Sequence, residues 1–384
     1  MAGVVIVGGG QGGFQTAVSL RAEGYEESIT LIGEEAHLPY QRPPLSKGIL
    51  LGKQEERHAV LRPADFFTAQ RIDLIAGERV MSIDRERRNV VLASGREVPY
   101  GTLVLATGAR NRTLPIERAC YLRTLGEAAE LKQRIADAGK VIVIGGGFIG
   151  LEVAAAARTL GKEVTVVELA PRLMGRVVAP VVSDYFRQQH TAQGVEILLN
   201  AKLADPHLAA DVVVAGVGVV PNDELAREAG LPTSNGITVD AHLRTPDPNI
   251  FAIGDCAEYP SSFAGGRVRL ESVQNAVDQG VSVARTITGK LAPYESAPWF
   301  WTDQFDIRLQ TAGIAQGFDQ VVTRGSPESR KFSVFCYRGA VLCAIDSINR
   351  PAEHLLARKI IAARASISPE QAADESFDLK STVS

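Results

Sequence analysis

Short, wholly apolar runs that stop at a glycine recur along the chain, separated by stretches with helical spacing. Val4-Val-Ile-Val runs into Gly8-Gly-Gly10-Gln-Gly12-Gly13, then a helical pattern through Ala17, Leu20 and Ala22, then Ile29-Thr-Leu-Ile-Gly33 and Glu34. Val141-Ile-Val-Ile runs into Gly145-Gly-Gly147-Phe-Ile-Gly150, then an Ala-rich helical pattern to Leu160, then Val164-Thr-Val-Val-Glu168. The order is the same in both, so the chain carries an internal repeat of two strand–helix–strand units. Further strands are predicted at Thr102–Ala106, Asp211–Ala215 and Ile250–Ile253, each ending next to a glycine-marked bend. After about Pro298 the texture changes. Short strand-like runs at Arg308–Ala312, Gln320–Thr323, Phe332–Tyr337 and Ala340–Ile345 precede an amphipathic helix over Pro351–Ala365, which predicts a separate α+β domain. The polar stretch from Ala365 reads as a loosely attached tail.

Composition narrows the class. A length of 384 residues, 45% hydrophobic and 22% charged, describes a packed protein of two or three domains and excludes a disordered or fibrous chain. A net charge of −3 supplies no overall field for nucleic acid or an anionic membrane. No apolar run approaches the ~18–20 residues of a membrane span, and the stretch from Val4 to Gly10 lacks a basic leader and a cleavage site, so a cytoplasmic location is expected. Cys120, Cys256, Cys336 and Cys343 form no CxxC pair and no metal-like cluster; structural thiols and no metal are expected.

The glycines sit where chemistry needs them. A pyrophosphate requires backbone N–H donors at close range and the positive end of a helix, and Gly8, Gly10 and Gly13, like Gly145, Gly147 and Gly150, offer both between a strand and a helix. Each loop meets a carboxylate at the end of the next strand, Glu34 and Glu168, at the ~20-residue spacing of a ribose-binding acid. Two dinucleotide sites in one chain point to a flavin and a nicotinamide. Glu168 would accept from a free 2′-hydroxyl and repel a 2′-phosphate, which favours NADH over NADPH; Arg172, four residues on, is the residue that could reach a phosphate.

Thr107-Gly108, Ala215-Gly-Val-Gly218-Val-Val-Pro221-Asn222 and Ile250-Phe-Ala-Ile-Gly254-Asp255 together resemble the flavoprotein superfamily of the glutathione reductase fold. Within it, five stretches are similar to the oxygenase-coupled, NADH-dependent ferredoxin reductases, and the likeness spans essentially the whole chain. They are Pro39-Tyr-Gln-Arg42-Pro-Pro-Leu-Ser-Lys47, Tyr121-Leu-Arg123-Thr-Leu, Glu271-Ser-Val273-Gln-Asn, Ala297-Pro-Trp-Phe-Trp301-Thr-Asp-Gln304 and Val341 to Pro351. The chain departs from that family between Val195 and Ala210, where it is short.

The resemblance implies an α/β fold with two Rossmann-like dinucleotide-binding domains and a C-terminal α+β domain. FAD would occupy 1–110 with 233–297, NADH 111–232, and the third domain would be 298–384. It implies FAD contacts from Gly12, Glu34, Arg42, Lys47, Val80, Arg110, Arg123, Asp255, Val273 and Trp301. On the NADH side it implies Phe148, Ile149 and Gly218 beside the glycine loop, Glu168 and Arg172. It assigns catalysis to a Lys47–Glu152 ion pair beside the flavin and to Trp301 at the flavin edge. Thiol relays of this superfamily lie near the first helix, and no cysteine precedes Cys120, so electrons are expected to leave the flavin directly.

The implied partner is a small acidic [2Fe-2S] ferredoxin serving a Rieske dioxygenase or a cytochrome P450, with the reductase a monomer or homodimer. Nine Lys/Arg against five Asp/Glu between Gln304 and Arg364 would attract such a partner, with Arg330 and Lys331 as a candidate patch. The alternatives are a rubredoxin reductase, an NADH oxidase, or a redox-responsive NADH-binding signalling flavoprotein.

Overall fold

The computed structural model describes residues 3–201 and 209–383. Residues 202–208, inside the stretch where the chain is short for the resembled family, lie outside the described residues. The chain forms two compact units: Met1–Gln41, Ala59–Arg110 and Val220–Ser296 make one, and Arg42–His58, Asn111–Val219 and Ala297–Ser384 make the other.

The first unit is built on a five-stranded parallel sheet in the order Ile250–Ala252, Thr102–Leu105, Val4–Val7, Ile29–Gly33, Ile72–Ala76. Val4–Val7 is buried at every position because the sheet is covered on both faces. The helix Gln11–Ala22 follows the first glycine loop and packs along the helix Val273–Ile287. An antiparallel sheet of Val80–Asp84, Asn89–Leu92 and Glu97–Pro99 lies on the same core.

The second unit repeats the plan. Val195–Leu198, Glu163–Val167, Lys140–Ile144, Val212–Ala215 and Ala119–Cys120 form a parallel sheet in that order, and the helix Phe148–Thr159 follows the second glycine loop. The same unit holds a five-stranded antiparallel sheet, Trp299–Gln304, Ile307–Gly313, Val341–Ile348, Lys331–Arg338 and Gln320–Ser326, covered by the helix Pro351–Ala363. Among the described residues no helix is long and apolar enough to cross a membrane.

The end of the chain corrects the expectation of a loose tail. Ile367, Ala372 and Leu379 are buried. Ser368 and Gln371 close a capping box on the helix Pro369–Ala373. The buried Arg324 guanidinium donates to the carbonyls of Asp374, Glu375 and Phe377. Three apolar anchors spread over thirteen residues are too few to set up a helical or strand period among the polar positions, so composition alone reads the segment as polar.

Candidate functional site

In the first unit the glycines of the loop divide into two kinds. A Cβ at Gly8, whose φ is +120°, would lie 2.1 Å from the Ala106 carbonyl oxygen, and one at Gly13 would lie 2.0 Å from that of Gly8. Those two are glycine because the turn and the helix–strand packing leave no room. Gly12 approaches the Ala276 carbonyl more loosely, at 3.3 Å. Gly10 is different: as N-cap of its helix it has extended φ and ψ, and a Cβ there would meet nothing within 4 Å. The open space above a helix N-terminus is what a pyrophosphate requires, so the loop fits the dinucleotide the fold implies.

Glu34 follows the second strand and faces solvent, with Arg79 Nη1 at 3.6 Å. Asp255 lies in the short turn Gly254–Cys256, whose first N–H donates to Gln279 Oε1 at 2.7 Å. Val273 opens its helix and Val80 is buried in a strand. The Arg110 side chain is engaged with Asn222 Oδ1 at 3.0 Å and Glu224 at 2.7 Å.

The second loop reproduces the first. A Cβ at Gly145, φ +102°, would lie 2.5 Å from the Gly216 carbonyl, one at Gly150 would lie 2.2 Å from that of Gly145, and Gly147 is the open N-cap. Glu168 is held by two loops: Oε2 accepts from Gly146 N–H of the glycine loop at 2.6 Å and Oε1 from Ala170 N–H of its own loop at 2.7 Å. A carboxylate keeps further lone pairs after two such bonds and can still accept from a ribose hydroxyl. Arg172 donates to the Gly175 and Val178 carbonyls at 2.5 and 2.6 Å and to Ser183 Oγ at 3.0 Å, ordering the loop that follows. Gly218 has φ +98°, Phe148 packs edge-on against Phe300 at 4.9 Å, and Ile149 is exposed.

Substituting Glu168 by alanine removes two loop-ordering acceptors and the negative charge that is expected to repel a 2′-phosphate. Glu168→Ala is therefore expected to lower the NADH/NADPH ratio of kcat/KM ~10-fold, chiefly by raising KM for NADH, since one lost charge-assisted contact is worth that order. An unchanged ratio in steady-state assays with both nucleotides would refute the role.

Lys47 and Glu152, 105 positions apart in sequence, meet as an ion pair: Nζ lies 2.7 Å from Oε1, with the side chains 22% and 2% exposed. Glu152 is the fifth residue of its helix, one turn in from the glycine N-cap, so its charge is met by side chains rather than by the helix end. Thr302 Oγ1 donates to Oε1 at 2.6 Å and the Ser46 hydroxyl donates to Oε2. Arg42 donates to the Arg123 carbonyl, and the Arg123 N–H donates to Glu127 Oε2 at 2.7 Å, inside the capping box of the helix Leu125–Asp137. Trp301 stacks on Trp299, centroids 5.7 Å apart, and Arg358 lies over Trp299 at 4.2 Å.

Sequence reading named Lys47, Glu152 and Trp301 but missed Ser46, Thr302, Gln304 and His190, which complete the polar cluster. Ser46 and Thr302 each adjoin a named residue; His190 carried no sequence signal.

All four cysteines are free thiols. Burial pushes each of them up, so none is primed as a thiolate. No group of three or more His, Cys, Asp or Glu among the described residues is placed to hold a metal.

The profile of the pyridine nucleotide-disulphide oxidoreductases matches residues 2–280, and that of a reductase C-terminal domain matches 299–383. The chain belongs to this family. As a member it is an oxidoreductase that works with FAD and NADH. It is 49% identical to rhodocoxin reductase of Rhodococcus erythropolis, over 98% of this chain and 93% of that one. Two solved structures match it along its whole length. One is the ferredoxin reductase for the CYP199A2 system of Rhodopseudomonas palustris, 50% identical with a TM-score of 0.97 and all of both chains covered. The other is putidaredoxin reductase in its covalent complex with putidaredoxin, 40% identical with a TM-score of 0.93, covering 100% of this chain and 98% of that one.

Proposed function

We propose that the protein is an NADH:ferredoxin reductase, passing electrons through FAD to a small acidic [2Fe-2S] ferredoxin that supplies an oxygenase. The observation that carries this reading is the full-length likeness to a reductase joined to its ferredoxin-type partner. The absence of any cysteine before Cys120 agrees with it, since a thiol relay near the first helix is ruled out. FAD, when bound, takes up two electrons together and releases them singly.

The rest is the work of the chain. Gly10 and Gly147 leave room for the two pyrophosphates, and Glu34 and Glu168 take the riboses. Asp255 would hold the ribityl chain, Arg42 and Arg123 the flavin side, and Phe148 and Ile149 the nicotinamide. Lys47, fixed by Glu152, would present its ammonium to developing negative charge, and Trp301 would cover the ring edge. On this reading FAD belongs to 1–110 with 233–297, NADH to 111–232, and 298–384 is the third domain.

Part of the positive charge of the C-terminal region is held in local ion pairs. Arg330 pairs with Asp306 at 2.6 Å, Arg308 with Asp303 at 2.7 Å, and Arg350 with Glu353 at 2.9 Å. Docking through what remains is expected to slow ferredoxin reduction several-fold as salt rises and the Debye length shrinks from ~10 Å towards ~3 Å, while ferricyanide reduction at saturating NADH holds steady. The test is turnover of the FAD-loaded protein with NADH against a panel of ferredoxins at low and high salt. Peroxide formation with no ferredoxin reduced would overturn the reading.

A further inference from the structure

We propose that Thr302, Gln304, His190 and Ser46 are positioning residues: a buried, one-directional hydrogen-bond chain that locks the Glu152 carboxylate and through it the Lys47 ammonium. The C-terminal domain, which supplies Thr302 and Gln304, thereby takes part in electron entry as well as exit. This rests on the reading of Lys47 and Glu152 given above.

The direction of the chain follows from its end. Glu152 is buried, and a buried carboxylate must have its acceptor positions filled. Lys47 and Thr302 fill Oε1, and Ser46 fills Oε2. Thr302 spends its single proton on Glu152, so its oxygen accepts, and Gln304 Nε2 is the donor at 3.3 Å. That turns Gln304 Oε1 towards His190, whose Nε2 lies 2.8 Å away and therefore carries the proton. Burial pushes the His190 imidazole down, which keeps it neutral, and Phe305 packs against the ring at 5.0 Å. Thr302, Gln304 and His190 are all wholly buried, and each donates one step closer to Glu152. Donors aligned in series polarise one another towards the charge at the end.

Strand geometry explains how one segment does this. Along Trp299–Gln304 alternate side chains point to opposite faces, so Phe300 and Thr302 meet Phe148 and Glu152 of the helix Phe148–Thr159, Gln304 on the same face meets His190, and Trp299 and Trp301 stack on the other side. A merely structural contact between that strand and helix would be served as well by apolar side chains, without the cost of burying three polar groups.

The test compares FAD-loaded Thr302→Val, Thr302→Ser, Lys47→Met and wild type in rapid-mixing reduction by NADH. Thr302→Val is expected to lower the limiting rate of flavin reduction ~10-fold, the worth of one charge-assisted hydrogen bond, with NADH affinity unchanged. Thr302→Ser, which keeps the donor, is expected to recover most of that rate, and Lys47→Met to fall at least as far as Thr302→Val. A slow Lys47→Met beside a fast Thr302→Val would overturn the positioning chain. An unimpaired Lys47→Met would overturn the underlying reading of the ion pair instead. Should Thr302→Val bind no FAD, Gln304→Met, one bond further out, carries the same test: a smaller loss of limiting rate supports the chain, and a wild-type rate refutes it.

Discussion

Gly147→Val is expected to fold, to bind FAD and to lose saturation by NADH, while Gly150→Ala, a smaller change three residues on, is expected to damage the fold itself. The contrast follows from what each added Cβ would meet. At Gly147 it meets nothing within 4 Å, and φ −82° with ψ −179° is extended backbone that valine adopts readily. The cost to the protein is that of a poor N-cap, ~1 kcal/mol. The cost to the ligand is larger, because the methyl groups occupy the space through which a pyrophosphate would reach the backbone N–H groups of the helix end. KM for NADH is expected to rise ~100-fold or more, equivalent to losing two or three charge-assisted hydrogen bonds.

At Gly150 the Cβ falls 2.2 Å from the Gly145 carbonyl, so helix and strand must separate. The first loop gives the same pair one cofactor over. Gly10→Val is expected to yield a folded, colourless apoprotein, and Gly13→Ala, with its Cβ 2.0 Å from the Gly8 carbonyl, a destabilised one. Flavin absorbance, Tm and KM for NADH separate the four cases. Wild-type saturation by NADH in a folded Gly147→Val protein would show that the pyrophosphate does not pass there.

That distinction marks the limit of what the sequence carries. Gly8-Gly-Gly10 and Gly145-Gly-Gly147 read as two equivalent runs, and spacing alone places them at strand–helix junctions, where the structure has them. Which glycine is steric and which is open depends on Ala106 and Gly216, far away in the chain. The charged centre was legible only in part for the same reason. Lys47, Glu152 and Trp301 lie in motifs, whereas His190 meets Gln304 across 114 positions and Thr302 meets Glu152 across 150, contacts that only the folded unit creates. Trp299–Gln304 escaped prediction as a strand because three aromatic residues are followed there by three polar ones, which gives neither a polar–apolar alternation nor a longer apolar run. Arg172 shows a further contact that spacing does not give: its guanidinium donates to the backbone of the loop it precedes.

Removing the Asp346 carboxylate is expected to stabilise the protein at pH 8 and to matter little at pH 4. Asp346 lies in the middle strand of the C-terminal sheet, fully buried, with Thr311 Oγ1 donating to Oδ1 at 2.7 Å. Burial pushes its carboxyl from 3.8 up to about 7. Between those values the folded protein keeps a proton that the unfolded chain has released, so stability falls as pH rises, by ~1.4 kcal/mol per unit and ~4 kcal/mol in all.

His354, buried against Trp299, opposes this trend at lower pH. Burial, with Arg358 adding to it, pushes its imidazole from 6.5 down to about 4. There the unfolded chain holds the extra proton, and stability rises with pH at a similar slope. The two slopes cancel from about pH 4 to 6.5, and only the Asp346 slope remains above that. Asp346→Asn therefore unmasks a rise with pH and His354→Leu a fall. Urea midpoints measured from pH 4 to 8 should show the gap between Asp346→Asn and wild type widening by ~4 kcal/mol. A gap that stays constant across that range would mean that Asp346 is ionised in the folded protein.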